Sequence, residues 1–172
     1  SEVGTLVITK AVAQGNVTVG NAETTYGQKL NLNSVIIQTK NIAQRDIAAI
    51  QDTIACAGSD EAIGSHAITV TVPESVSRNY LRTIKVNKGT HTIISKEVTI
   101  TADSCKAQYG NTFPEFTYQI SGVSDKENLG DISVVKREDG NHVGTYTLDV
   151  QVANQNSNYK YNLESGTLTI KK

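Results

Sequence analysis

Apolar and polar residues alternate along much of this chain, most regularly over residues 97–172. Val98, Ile100 and Ala102 fall on one side of an extended segment and Thr99, Thr101 and Asp103 on the other, as in a strand wetted on one face. Phe116, Tyr118 and Ile120 alternate with Thr117 and Gln119 ahead of a Ser121-Gly122 turn, and Tyr146, Leu148, Val150 and Val152, then Leu168 and Ile170, continue the pattern. These four segments predict strands that supply most of one apolar face. Asp46 to Cys56 has helical spacing instead, with Ile47, Ile50 and Ile54 three and four residues apart and alanines between them. The matching stretch Asp125-Lys126-Glu127-Asn128-Leu129 is polar and runs quickly into Ile132-Ser133-Val134-Val135. The pattern therefore predicts one or two helical turns opening at Asp46 and at Asp125, capped by those aspartates and each followed by a strand.

The pattern also repeats. Gly4-Thr5-Leu6-Val7-Ile8-Thr9-Lys10 returns as Gly89-Thr90-His91-Thr92-Ile93-Ile94-Ser95-Lys96 and again as Gly166-Thr167-Leu168-Thr169-Ile170-Lys171-Lys172. Between these phrases other landmarks recur in order: Tyr26-Gly27 and Tyr109-Gly110, the Asp46 and Asp125 segments, Gly64-Ser65-His66-Ala67-Ile68 and Gly144-Thr145-Tyr146-Thr147-Leu148, Asn79-Tyr80 and Asn158-Tyr159. Ordered recurrence at this spacing marks an array of modules, here two of roughly eighty residues. The expected division is residues 1–96, with a lead-in strand at 4–10 inherited from a preceding unit, and residues 97–172. Gly27, Gly64, Gly89, Gly110, Gly144 and Gly166 fall at matching junctions and are expected to permit turns denied to other residues. Lys96 and Glu97 are nearly all that separates one module's closing strand from the next module's opening strand. With no Gly/Ser or Pro-rich linker, the pair is expected to form a stiff rod.

Composition narrows the function classes. The net charge is −1 and the basic residues are scattered, so there is no electrostatic footprint for nucleic acid or an anionic membrane. No apolar run approaches the ~20 residues of a membrane-spanning helix, no segment resembles a signal peptide, and the absence of methionine suits an excised fragment. The two cysteines, Cys56 and Cys105, fall at positions that do not correspond between the repeats. They are either isolated thiols or one bridge across the module junction, as an exported protein would allow. Strand patterning alone favours an all-β chain of two small antiparallel β-sandwiches of the immunoglobulin-like kind, each with at most a short helical turn. A β-grasp arrangement is the alternative, since a short helix between an early strand pair and a later set also fits.

Val98-Thr99-Ile100-Thr101-Ala102, Tyr109-Gly110, Pro114, Tyr118, Ser121-Gly122, Asp131, Val143-Gly144-Thr145-Tyr146-Thr147, Asn158-Tyr159 and Gly166-Thr167-Leu168-Thr169-Ile170 together resemble the MBG repeat. The first module resembles a divergent copy that keeps Tyr26-Gly27, Asp46, Gly64 and Asn79-Tyr80 but lacks the proline and has His66 in place of Tyr146. The resemblance implies an extracellular, β-rich building block of large bacterial surface or secreted proteins, adhesins among them, in contact with neighbouring repeats of its own chain. It brings no catalytic residues, and fold analogy supplies no activity.

The residues offer little chemistry of their own. There is no Gly-x-Ser-x-Gly elbow, His-Glu-x-x-His, Cys-x-x-Cys or phosphate loop, and no enzyme, cofactor or metal site is expected. His66, His91 and His142 each match a non-histidine in the other repeat and read as tolerated substitutions. Asp60-Glu61, Glu138-Asp139 and the Asp125, Glu127, Asp131 group do not follow the ligand spacing of a calcium loop and read as turn acids. Tyr80, Tyr159 and Tyr161 are the candidates for contact with a glycan or a host extracellular protein, because a tyrosine offers apolar area with a polar tip. Packing at a corner of the fold is the competing role for each.

Overall fold

A computed structural model describes residues 4–58, 62–123 and 127–172. The chain divides into two compact units, Ser1–Ile94 and Ser95–Lys172, and most of its regular structure is strand.

In the first unit the strands are β1 (Asn16–Val19), β2 (Ala22–Thr25), β3 (Ile37–Lys40), β4 (Ala55–Cys56), β5 (Gly64–Thr69), β6 (Lys85–Asn87) and β7 (Gly89–Ile94). Helix α1 (Gln44–Gln51) lies between β3 and β4, and a single turn, α2 (Glu74–Ser77), lies between β5 and β6. One sheet has the order β3-β1-β6 and the other β2-β7-β5-β4. In the second unit the strands are β8 (Lys96–Ala102), β9 (Cys105–Gln108), β10 (Tyr118–Ser121), β11 (Asp131–Lys136), β12 (Gly144–Ala153), β13 (Tyr159–Glu164) and β14 (Gly166–Lys171), with a 3-10 turn at Glu127–Leu129 where the first unit has α1. The sheets here are β10-β8-β13 and β11-β12-β14-β9. Counted from the start of each unit, both follow one strand order.

Each core is built by the alternation read above. The closing strands β7 and β14 share one burial pattern, with every second residue buried. Such strands lie between neighbours on both sides while one face meets the core. Val98, Ile100, Leu148, Leu168 and Ile170 form the second core, joined by the fully buried Leu129 from the 3-10 turn. Val17, Ile50 and Ile68 occupy the centre of the first, and Ile50 lies between two acids as Leu129 does in the second unit's sequence. Phe116, Ile120 and Tyr146 are half-buried at the margin of their core.

Several expectations are corrected. The units are not purely antiparallel: β1 runs parallel to β6, β2 to β7, β8 to β13 and β9 to β14. Each unit's closing pair of strands therefore lies alongside its opening pair, joining residues 69 apart in the first unit and 63 apart in the second, in one register across both sheets. Alternation records which side of a strand is wet, and a parallel neighbour leaves the same trace as an antiparallel one.

Asp46 is not a helix cap. Ala43 holds the N-cap position without a side-chain hydrogen bond, and Asp46 sits buried within the first turn. Asp125 lies outside the described residues. Residues 4–10, expected as a strand, belong to no strand, and Leu6, Val7 and Ile8 are 85%, 73% and 78% exposed. Their counterparts in β7 and β14 are held by a parallel neighbour on one side and an antiparallel one on the other, and residues 4–10 have neither.

Four of the six repeated glycines fall into two kinds. Gly27 and Gly110 adopt φ of +83° and +88° after their tyrosines, in left-handed turns that favour glycine. Gly89 and Gly166 need space instead. A Cβ on Gly89 would lie 2.1 Å from the Gly20 carbonyl oxygen, and one on Gly166 would lie 2.4 Å from that of Ala102. At this break in the strands a side chain completes the ladder: the Thr90 amide donates to Asn21 Oδ1 at 2.9 Å, and the Thr167 amide to Ser104 Oγ at 3.0 Å.

Candidate functional site

The three tyrosines singled out in the sequence are engaged within the fold. Tyr80 is 6% exposed, its hydroxyl donating to Asp46 Oδ2 at 3.0 Å and accepting from the Ala43 amide at 2.8 Å. It thereby ties the chain before β6 to the start of α1, and burial pushes the phenol's pKa above its ordinary value. Removing that hydroxyl leaves a buried carboxylate and an amide short of a partner. Tyr80→Phe is expected to cost the first unit about 1–3 kcal/mol in urea denaturation. A loss within a few tenths would show that the hydroxyl bonds add nothing to stability.

Tyr159 and Tyr161 are half-buried against the second core and meet edge to face, with ring centroids 6.5 Å apart. The Tyr161 hydroxyl donates to the Leu129 carbonyl at 2.7 Å and accepts from the Asn156 amide at 3.1 Å. It anchors the 3-10 turn, as Tyr80 anchors α1. Tyr80 and Tyr159 do not share a register, since Tyr80 lies nine residues before Gly89 and Tyr159 seven before Gly166.

Cys56 and Cys105 are free, half-buried thiols, and burial pushes both pKa values up, away from reactive thiolate. Cys56 Sγ is 3.7 Å from His91 Nδ1, and the other ring nitrogen of His91 is 2.8 Å from Thr24 Oγ1. His91 is fully buried on β7 at the position that Leu168 fills on β14, so this substitution brings a polar cluster into the core. Its members lie on three separate strands, and no spacing in the sequence announces them. Among the described residues, no three of His, Cys, Asp and Glu lie close enough to hold a metal ion. Asp60 and Glu61 are outside those residues.

A feature missed in the sequence lies on the second unit's surface. The Tyr109 amide donates to the Lys171 carbonyl at 2.8 Å, closing the end of β9 against β14, and the Gly110 turn then leads out to Asn111, Thr112 and Phe113. Tyr109 is 56% exposed and stacks on His142, with centroids 6.5 Å apart and planes inclined by 19°. Tyr109, Asn111, Phe113 and Asn141 line an open groove of about 450 Å³. Beside it Lys136 Nζ stands 4.6 Å above the Tyr146 ring and donates to Asn141 Oδ1 at 3.1 Å, while the Tyr146 hydroxyl donates to the His142 carbonyl at 2.9 Å. The signal available in the sequence was Tyr109-Gly110 itself, which reads equally well as a plain turn.

Charged pairs on this unit are exposed. Arg137 makes two 2.6 Å bonds to Asp149, holding that carboxyl below the usual range, while bonds from Thr147 do the same for Glu138. Lys160 lowers Glu97 across the parallel β8–β13 pair. Solvent screens such contacts, so they hold local geometry more than stability.

The tyrosine-glycine turn agrees with one further observation. Residues 98–169 match the MBG domain (YGX type). The match spans nearly the whole second unit, and in the matched segment Tyr109-Gly110 is the turn that begins the aromatic groove. No curated protein matches the chain. No helix among the described residues is long and apolar enough to cross a membrane.

Proposed function

We propose that this chain is a non-catalytic, structural or adhesive repeat segment of a larger bacterial surface or secreted protein, in which two MBG-like modules act as a stiff extracellular spacer. The MBG match carries the reading, since MBG domains occur in surface proteins. Two further observations support it. The first unit repeats the strand order of the second, as a divergent copy would, and Ser95 alone separates β7 from β8. We read that order, with opening and closing strands parallel and a helical segment between the third and fourth strands, as β-grasp in preference to an immunoglobulin-like sandwich.

A one-residue junction leaves few free torsions for a hinge. Small-angle scattering of the full chain is expected to give one narrow distance distribution, and inserting six glycines after Ser95 to broaden it without unfolding either core. A native chain already as variable in length as the insertion variant would remove the spacer role.

The second reading is a ligand-binding module, favoured by one observation: an exposed tyrosine stacked on a histidine beside a groove lined with asparagines. Rings with flanking amides suit a glycan or a segment of a host extracellular protein. A glycan and extracellular-matrix array separates the two readings, because a ligand lost on Tyr109→Ala supports binding and a blank array supports the spacer.

A further inference from the structure

We propose that residues 4–10 are a strand donated to another unit of this fold, taking the closing position that β14 holds in the second unit. The segment matches Gly166–Lys172 at five of seven positions, sharing the glycine, the threonine after it, both apolar residues and the final lysine. In β14, Leu168 and Ile170 are buried between β9 and β12; Leu6 and Ile8 have the same spacing and are almost fully exposed. Val7 takes the outward place of Thr169.

Gly4 identifies the position. A strand added to an open sheet edge has no need of glycine at its start. At the closing position glycine is demanded, because a Cβ on Gly89 or Gly166 would run into backbone oxygen at 2.1 or 2.4 Å. Among the described residues a Cβ on Gly4 would meet nothing within 4 Å, so none of them requires a glycine there. Its presence fits the bend where an opening strand pair would press against it. Thr5 would then present its amide to the side chain that Asn21 and Ser104 provide in the two units. The recipient is a unit that supplies the counterparts of β9 and β12 and lies immediately before residue 4 in a longer chain. Successive units would thus be joined through the strand itself. The inference rests on the repeat reading proposed above and is independent of the spacer role.

The test splices residues 95–165 directly before Gly4 of the full chain, so that a copy of the second unit lacks its own closing strand and meets Gly4 where Ser165 meets Gly166. Hydrogen exchange is followed at residues 4–10. The Leu6 and Ile8 amides are expected to exchange at least about a hundredfold more slowly than in the unextended chain. Gly4→Val, or Leu6→Asp with Ile8→Asp, is expected to abolish that protection in the extended chain while leaving the unextended chain unchanged. Exchange at 4–10 as fast in the extended chain as in the unextended one would overturn the proposal. Protection that survives Gly4→Val would also overturn it, since the segment would then be pairing somewhere other than the closing position. A variable length in scattering would remove the spacer role and leave this exchange result untouched.

Discussion

Leu148→Ala is expected to destabilise the second unit by about 2–5 kcal/mol, the cost of deleting a large aliphatic side chain where neighbours cannot collapse into the space. Leu148 is fully buried on β12, opposite Lys136 of β11 and Gly166 of β14, and belongs to the core that contains Val98, Ile100, Leu129, Leu168 and Ile170. Strands hold it on both sides, so the backbone has little freedom to close the cavity. A domain with a total stability of roughly 5–15 kcal/mol loses a large share of it. Urea denaturation followed by hydrogen exchange in β12 and β14 reads the loss unit by unit. A change of only a few tenths would mean that Leu148 is not at the centre of the core.

Gly166→Ala is expected to cost as much as ordinary overpacking does at its upper end, about 3 kcal/mol, although it adds a single methyl group. The atom it would meet is the Ala102 carbonyl oxygen at 2.4 Å, with the Asp103 oxygen at 2.9 Å. Backbone oxygens cannot rotate away as a flexible side chain would, so either β14 or the end of β8 must shift. Either shift disturbs the bond from the Thr167 amide to Ser104 Oγ. Gly144→Ala is the control, since a Cβ there would meet only the Tyr146 ring at 3.9 Å. The expected result is a large loss for Gly166→Ala and a small one for Gly144→Ala. Equal losses at both would show that glycine is kept at these positions for some reason other than space.

Much of this protein was determined locally. The alternation at Val98, Ile100 and Ala102 and at Leu148, Val150, Leu168 and Ile170 states which face of each strand is buried, because a strand turns successive side chains to opposite sides whatever lies next to it. The helical spacing of Ile47 and Ile50 likewise marks α1, although the helix ends at Gln51, short of Ile54, and Ala55–Cys56 is strand β4; Tyr-Gly marks a left-handed turn in both units. The residues matched to the MBG domain are spread along one continuous stretch and carry the resemblance without any knowledge of packing.

Only the tertiary structure decided which strands are neighbours. Parallel pairing of Asn16 with Lys85, or of Tyr159 with Lys96, joins residues more than sixty positions apart, and neither strand carries a mark of its partner's direction. The same holds for Tyr80 and Tyr161, whose hydroxyls find partners only once a helical turn has folded beneath them, and for the groove at Tyr109, made by two loops that the sequence keeps apart. The glycine of the thrice-repeated phrase combines both levels. Its recurrence was visible in the sequence, but its cause at Gly89 and Gly166 was not, because that cause is the carbonyl oxygen of Gly20 or of Ala102, and no local conformation of the chain brings the two together.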